Sequence, residues 1–218
     1  MRVAALYDVH GMPHALEAVL AEVDREGFDA IVFGGDVLAG PLPRETLELV
    51  RSIDAQFVRG NAEREPDDRL REKLGDDVLA WGAAWPMTLD LDGVLYCHAS
   101  PWSDLRPILT DASPDERFEE ALAGVDNRLV VAGHTHMQFQ RSRFVNAGSV
   151  GMPYEGEVAA FWAIVSDAVE FRKTAFDVER AASDIAASDW TNAESFVAEN
   201  LRTAVSRVEA TAWMESRA

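Results

Sequence analysis

The sequence predicts an α/β fold of two stacked mixed sheets, closed by a C-terminal helical tail. Three observations carry the prediction. In the first third of the chain, short apolar runs alternate with amphipathic helical patterns, the signature of strand–helix–strand units in a largely parallel sheet. From about Trp85 the apolar runs become closely spaced, and β-α units followed by a meander fit two sheets better than one. Beyond Asp177 the chain turns Ala-rich with helical spacing.

Taken in order, Val3 to Tyr7 reads as a strand running into Asp8-Val9-His10-Gly11, and Ala15, Leu16, Val19, Leu20 and Val23 then recur at the spacing of a helix face. Ala30 to Phe33 is a second strand, ending at Gly34-Gly35-Asp36. Pro41 and Pro43 precede a helix that begins over Glu45 to Val50. A third strand, Ala55 to Val58, meets Arg59-Gly60-Asn61. All three polar clusters fall beyond carboxyl ends of strands, where ligands sit in open α/β sheets.

Met87 to Leu91 and Val94 to Cys97 flank Asp92-Gly93, a strong hairpin signal. A helix is expected around Pro114 to Ala123. Arg128 to Ala132 then runs into Gly133-His134-Thr135-His136, and further strands lie near Arg143 to Val145, Ala159 to Val165 and Val169 to Thr174. In the tail, a break at Ser188-Asp189 separates a short helix from a longer one running towards Met214. This organisation divides the chain into a domain over 1–175 and a helical extension over 176–218. The extension is available for packing or self-association, which leaves a homo-oligomer open.

At 218 residues the chain can bury a sizeable core without staples. Its formal net charge of −18 is spread along the sequence with no basic block, which excludes long nucleic acid as a partner. A small phosphorylated substrate is not excluded, because bound divalent cations reverse the local field. Cys97 is the single cysteine, so no intramolecular disulfide forms, and it is expected to pack as a small buried hydrophobe. Neither a secretory leader nor a membrane-spanning segment is visible, so a cytoplasmic protein with no membrane partner is expected.

Four of the five histidines, His10, His98, His134 and His136, stand just after predicted strands. On an extended backbone Asp8 and His10 share a side, as do His134 and His136. Carboxylate and amide oxygen combined with imidazole nitrogen, without thiolate, suits Mn, Fe, Zn or Ni better than Ca. Seven donors are too many for one tetrahedral ion and right for two ions sharing a carboxylate. Taken singly, the motifs have plainer readings: Asp8-Val9-His10 as a capped turn, Asn61 as a turn residue, His98 as a core histidine. His14, at a predicted helix start, reads as a partly exposed helix-end residue. The tryptophans read as core or interface anchors, with Trp102 alone near enough to His98 to form a pocket lip.

In this order, Asp-x-His, Gly-Gly-Asp, Gly-Asn, a lone later His and Gly-His-Thr-His resemble the calcineurin-like metallophosphoesterases over roughly residues 1 to 175. Gly40-Pro41, His98-Ala99-Ser100-Pro101 and Asn146 to Gly151 agree as well. The resemblance is greatest to small bacterial and archaeal phosphoesterases grouped with protein phosphatases and dinucleoside tetraphosphatases. It implies a four-layer αββα sandwich. It also implies two divalent transition-metal ions, manganese first and iron, nickel, cobalt or zinc as alternatives. Asp8, His10 and His136 would hold one ion and Asn61, His98 and His134 the other, with Asp36 bridging; Asp36, Asn61 and His98 would form the catalytic centre. The implied activity is hydrolysis of a small phosphodiester or phosphomonoester, a nucleotide-like substrate among them. The alternatives are a phosphoprotein phosphatase and a catalytically weak metal-binding scaffold. One position departs from the pattern: many members carry a His after the Asn, near the leaving group, where this chain reads Gly60-Asn61-Ala62-Glu63.

Overall fold

A computed structural model describes residues 1–218. The β-branched and apolar run of β1 (Val3–Leu6) pairs in parallel with β2 (Ala30–Phe33), Val3 opposite Ala30, and β2 pairs in parallel with β3 (Gln56–Phe57). The crossovers are α1 (Pro13–Glu26) and α2 (Pro43–Arg51), each opened by proline in its first turn, where a missing N–H costs nothing. Between β3 and the second sheet lie three short helices that have no clear apolar period: α3 (Asn61–Arg64), α4 (Asp68–Leu74) and α5 (Asp76–Ala83).

The hairpin of β4 (Thr88–Leu91) and β5 (Val94–Cys97) turns through Asp92 and Gly93, both at positive φ, as a two-residue loop requires. After α6 (Asp115–Ala121) come β6 (Val130–Ala132), β7 (Gln138–Arg141) and β8 (Phe144–Ala147), then β9 (Ala160–Val165) and β10 (Val169–Thr174). The last two return to the first sheet, giving the orders β10-β9-β1-β2-β3 and β4-β5-β6-β8-β7. Both sheets mix parallel and antiparallel pairs.

Alternation along β1 sorts the layers. Val3, Ala5 and Tyr7 pack with Tyr96, Val131 and Val145 between the sheets. Ala4 and Leu6 face the other way, into the larger core with Leu16 and Val19 of α1. On the far side, Phe118 of α6 covers Val130 and Phe144 of the second sheet. The result is helix, sheet, sheet, helix.

The tail differs from the single break expected. After α7 (Val178–Ala187) come α8 (Ala193–Phe196), a π-helical turn over Val197–Arg202, an extended stretch, and α9 (Arg207–Glu215). Phe196 and Leu201 anchor in the α1 core, whereas Ala210 and Met214 pack on Ile108 and Met137 in a separate cluster. Chain crossing from one core to the other cannot stay helical, and Ser206 caps the restart by accepting from Glu209 N. No helix is long and apolar enough to cross a membrane.

Candidate metal centre

The seven residues singled out by sequence all follow strand ends. Asp8 and His10 follow β1, Asp36 follows β2, Asn61 opens α3 after β3, His98 follows β5, and His134 and His136 follow β6. The extended-strand explanation for their convergence is wrong. Asp8, His10, His134 and His136 all have φ between 48° and 69°, and Asp36 has φ 52°. These positions lie past the last ladder pairs, in the left-handed region that costs a non-glycine residue about 1 kcal/mol or more. Cross-links hold them there. Asp8 N–H donates to Gly35 O (3.1 Å), His10 N–H to Asp36 O (3.0 Å), and the Ser149 hydroxyl to Asp8 O (2.7 Å).

Three imidazoles are aimed by their second nitrogen. His10 Nδ1 donates to Ala39 O at 3.1 Å, His98 Nδ1 to Gly34 O at 2.8 Å and His136 Nδ1 to Met152 O at 2.6 Å. Each therefore presents Nε2 inward, the arrangement by which backbone carbonyls fix metal-binding histidines. His10 Nε2 and His136 Nε2 stand 3.2 Å apart, and Asp8 Oδ1 lies 3.3 Å from His136 Nε2 and 3.7 Å from His10 Nε2. Asp36 Oδ2 lies 3.6 Å from His98 Nε2 and 3.9 Å from His10 Nε2. Donor atoms within 4.8 Å of one another thus form two overlapping groups, Asp8–His10–His136 and Asp8–Asp36–His98.

His134 joins neither group. Its ring packs edge-on against His98 at 5.2 Å and its backbone N–H donates to Asp8 Oδ2 at 2.8 Å. Asn61 presents a buried amide oxygen with no hydrogen-bond partner, and Asp8 Oδ1 and His98 Nε2 are buried and unpartnered too. Unsatisfied buried polar atoms are rare, so three at one centre demand an explanation.

The electrostatics split the histidines. Burial pushes His98 down, but the charges of Asp36 and Asp8 outweigh it and push it up to about 10. His136 is raised likewise: burial lowers it and Asp8 more than compensates. Burial, followed by the His98 charge, pushes His134 down to about 4, and burial with the His136 charge lowers His10. Burial opposes ionisation of Asp36, yet His98 and His10 hold it well below the usual carboxylate range.

Close approach requires two glycines. A Cβ on Gly60 would stand 2.2 Å from Asp36 Oδ1, and one on Gly133 would stand 2.4 Å from Asp8 Oδ2.

Two neighbours were missed in the sequence. Glu63 is buried, and its carboxylate accepts the backbone N–H groups of Asp36 (2.8 Å), Val37 (2.8 Å) and Gly60 (3.0 Å), tying the β2 and β3 loops together. Its place beside Asn61 was the only signal. Tyr154, stacked on His136 at 4.7 Å, gave none. His14 corrects another expectation. It is 6% exposed rather than a surface residue, because α7 packs over α1 and brings Asp184 Oδ2 within 2.8 Å of its Nε2. Trp102 is 58% exposed, with its indole beside Gly124.

Oxygen and imidazole donors are thus gathered at the strand ends of two stacked sheets. Residues 1–168 match the calcineurin-like phosphoesterase superfamily domain, and the chain belongs to that family. It is 24% identical over 228 residues to the uncharacterized protein MJ0912 of Methanocaldococcus jannaschii, covering 82% of this chain and 89% of that one. Among solved structures, hypothetical protein PH1004 from Pyrococcus horikoshii OT3 superposes with a TM-score of 0.73 at 20% identity, covering 90% of this chain and 97% of its own. A metallophosphoesterase from Sphaerobacter thermophilus superposes with a TM-score of 0.68 at 24% identity, covering 86% and 94%. Both share the fold.

Proposed function

We propose that the chain is a dinuclear metal-dependent phosphoesterase that hydrolyses a small phosphodiester or phosphomonoester, with nucleotide-like esters among its substrates. The observation that carries this reading is the trio of buried, unpartnered atoms, Asp8 Oδ1, Asn61 Oδ1 and His98 Nε2, beside two inward Nε2 atoms 3.2 Å apart. Acceptors packed this closely need positive charge among them, supplied by protons on His98 and His136 in the metal-free chain and by cations in the loaded one.

In this reading Asp8, His10 and His136 would hold one ion, Asn61, His98 and His134 would hold the second, and Asp36 would serve both. Contact of Asp36 Oδ2 with both His98 and His10 supports the bridging place. Asp8 Oδ1 also comes within 3.9 Å of His98 Nε2, so the two carboxylates stand side by side, with Asp8 the nearer to His136. The mixed donor set favours a transition metal, manganese first and iron, nickel, cobalt or zinc next. Bound divalent ions supply Lewis acidity towards a phosphoryl oxygen and lower the pKa of water. The chain supplies the rest: carbonyls that lock three imidazoles, a carboxylate at Glu63 that fixes the Asp36 backbone, and a neutral His134 beside His98.

Manganese uptake by chelated protein near pH 7 is expected to reach about two ions per chain. It should release protons, chiefly from His98, which is pushed up to about 10, with a further contribution from His136, which is raised by Asp8, because both must deprotonate to ligate. Affinity should therefore fall as pH falls. Elemental analysis and titration in a weakly buffered indicator solution read both quantities. Uptake without proton release would contradict the charge states, and no uptake of any transition metal would end the proposal. A screen of phosphate esters across these metals, with chelated protein as control, tests the activity.

Ala62 leaves no side chain to protonate a leaving group, a contribution worth about 10²- to 10⁴-fold where present. Aryl esters should be cleaved readily and alkyl esters poorly. A plot of log rate against leaving-group pKa should be steep in the native chain and shallower in Ala62→His at equal metal content. A shallow native slope would mean that another group supplies the proton.

A further inference from the structure

A cleft of about 420 Å³ opens beside His10. This falls within the roughly 300–1,000 Å³ of small-molecule sites. One wall is the Asp36 loop at Ala39 and Gly40, backed by Arg69 and Leu70 of α4. The other is the tail, with Trp190, Asn192, Phe196 and Asn200. The tail wall lies wholly beyond residue 168, where the match to the family domain ends.

The charged groups of the near wall are already committed. The Arg69 guanidinium donates to Gly40 O (2.9 Å) and Pro41 O (3.1 Å) and lies 5.4 Å from the Trp190 ring. The Asp67 carboxylate caps α4 by accepting from Leu70 N–H. What remains on offer is aromatic surface, neutral polar groups and, at the exposed rim, the Glu199 carboxylate, which can accept a ring N–H. Trp190 is half-buried, held at 4.9 Å by Phe196. Asn192 is exposed, and Asn200 spends its amide N–H on Phe196 O, which leaves its oxygen free. Asn200 stands on the π-helical turn, a local form found often at functional sites. The pieces are fastened together, since Lys73 of α4 bonds Asp189 beside Trp190.

We propose that Trp190, Asn192 and Asn200 form a specificity subsite for a planar, uncharged ring with hydrogen-bonding edges, the nucleobase of a nucleoside phosphoester whose phosphoryl group sits at the metal centre. This rests on the phosphoesterase reading above. Trp190 stacks on the ring, the two asparagines read its edge, and His10 marks the junction between base and phosphate. A bare monoester or an alkyl group leaves this cleft unused.

The test compares two diesters with the same leaving group on manganese-loaded protein: thymidine 5′-(4-nitrophenyl) phosphate and methyl 4-nitrophenyl phosphate. The native chain should prefer the nucleoside ester by about tenfold or more in kcat/KM, mainly through KM, as base–aromatic stacking allows. Trp190→Ala should bring the ratio towards one. Asn192→Ala, an exposed position whose replacement leaves the fold intact, should lower it several-fold. Thymidine 5′-monophosphate should bind native protein more tightly than either variant, measured by calorimetry. A native ratio near one, or a ratio unchanged in both variants, overturns the subsite and leaves the hydrolase reading standing. Cleavage of neither ester by folded, metal-loaded protein overturns both.

Discussion

Asp36→Asn is expected to lower kcat/KM by about 10³-fold or more while the chain remains folded. The two residues are nearly isosteric, and an Asn oxygen can still accept the Ala62 N–H that Asp36 Oδ1 accepts at 2.8 Å. The charge is what disappears. Asp36 Oδ2 stands within reach of both His98 and His10, so an amide there puts a neutral donor where two cations would share an anion. Lewis-acid stabilisation is worth several kcal/mol, and each 1.36 kcal/mol is tenfold in rate. Metal content should fall with activity, and the thermal transition of the metal-free protein should fall as well, since Asp36 offsets the buried His98 charge, so rates are compared at a temperature where both proteins are folded. His14→Ala is the control. It removes the contact between buried His14 and half-exposed Asp184 on the α1–α7 seam and should cost stability but no metal. Native-like turnover in Asp36→Asn would remove Asp36 from the bridging place.

Glu63 should be the second most sensitive position, through the backbone rather than through substrate. Its two oxygens serve three amide donors, which are otherwise buried. Burial and the Asp36 charge raise Glu63 to about 7, against the pull of those three hydrogen bonds. Glu63→Gln keeps one oxygen and turns an amide N–H₂ towards a backbone N–H. One buried donor then loses its partner, a loss of about 1–3 kcal/mol. Glu63→Ala orphans all three and should cost more. Loosening of the Asp36 and Gly60 loops should lower metal affinity about 10- to 100-fold, the usual effect of losing an outer-shell support. Urea melts of chelated protein and metal titrations separate the two effects. If Glu63→Ala binds metal as the native chain does, the carboxylate does not position Asp36.

The sequence made much of this legible, and the physical reason is visible in what it did not. The strands with strong periodicity, β1, β2, β5, β9 and β10, lie where the apolar runs placed them, and the Asp92-Gly93 turn formed as written. Strand β7 was missed because Gln138-Phe139-Gln140-Arg141 holds a single hydrophobic residue, and its edge position demands no more. Helices α3 to α5 carry few buried residues each and so no readable face. The donor residues stood out because strand-end His and Asp beside Gly have few structural uses, and the structure gathers five of them tightly. The backbone form that gathers them did not stand out. Positive φ at Asp8, His10 and Asp36 depends on cross-links from Gly35, Asp36 and Ser149, and such tertiary contacts leave no periodic trace.

Those left-handed positions bear on how such a chain changes over generations. Glycine at Asp8, His10, Asp36, His134 or His136 would remove a donor and relieve about 1 kcal/mol of backbone strain in one step. Most mutations in a folded domain destabilise it, and those that take it below the stability threshold are purged. At His10 and His134 that strain relief works against the filter, whereas Asp8 and Asp36 also accept the backbone N–H groups of His134 and Ala62 and so keep a structural claim on their places. A lineage released from selection for turnover sheds its chemistry first and its architecture last, leaving a well-folded descendant whose two sheets remain free for other work.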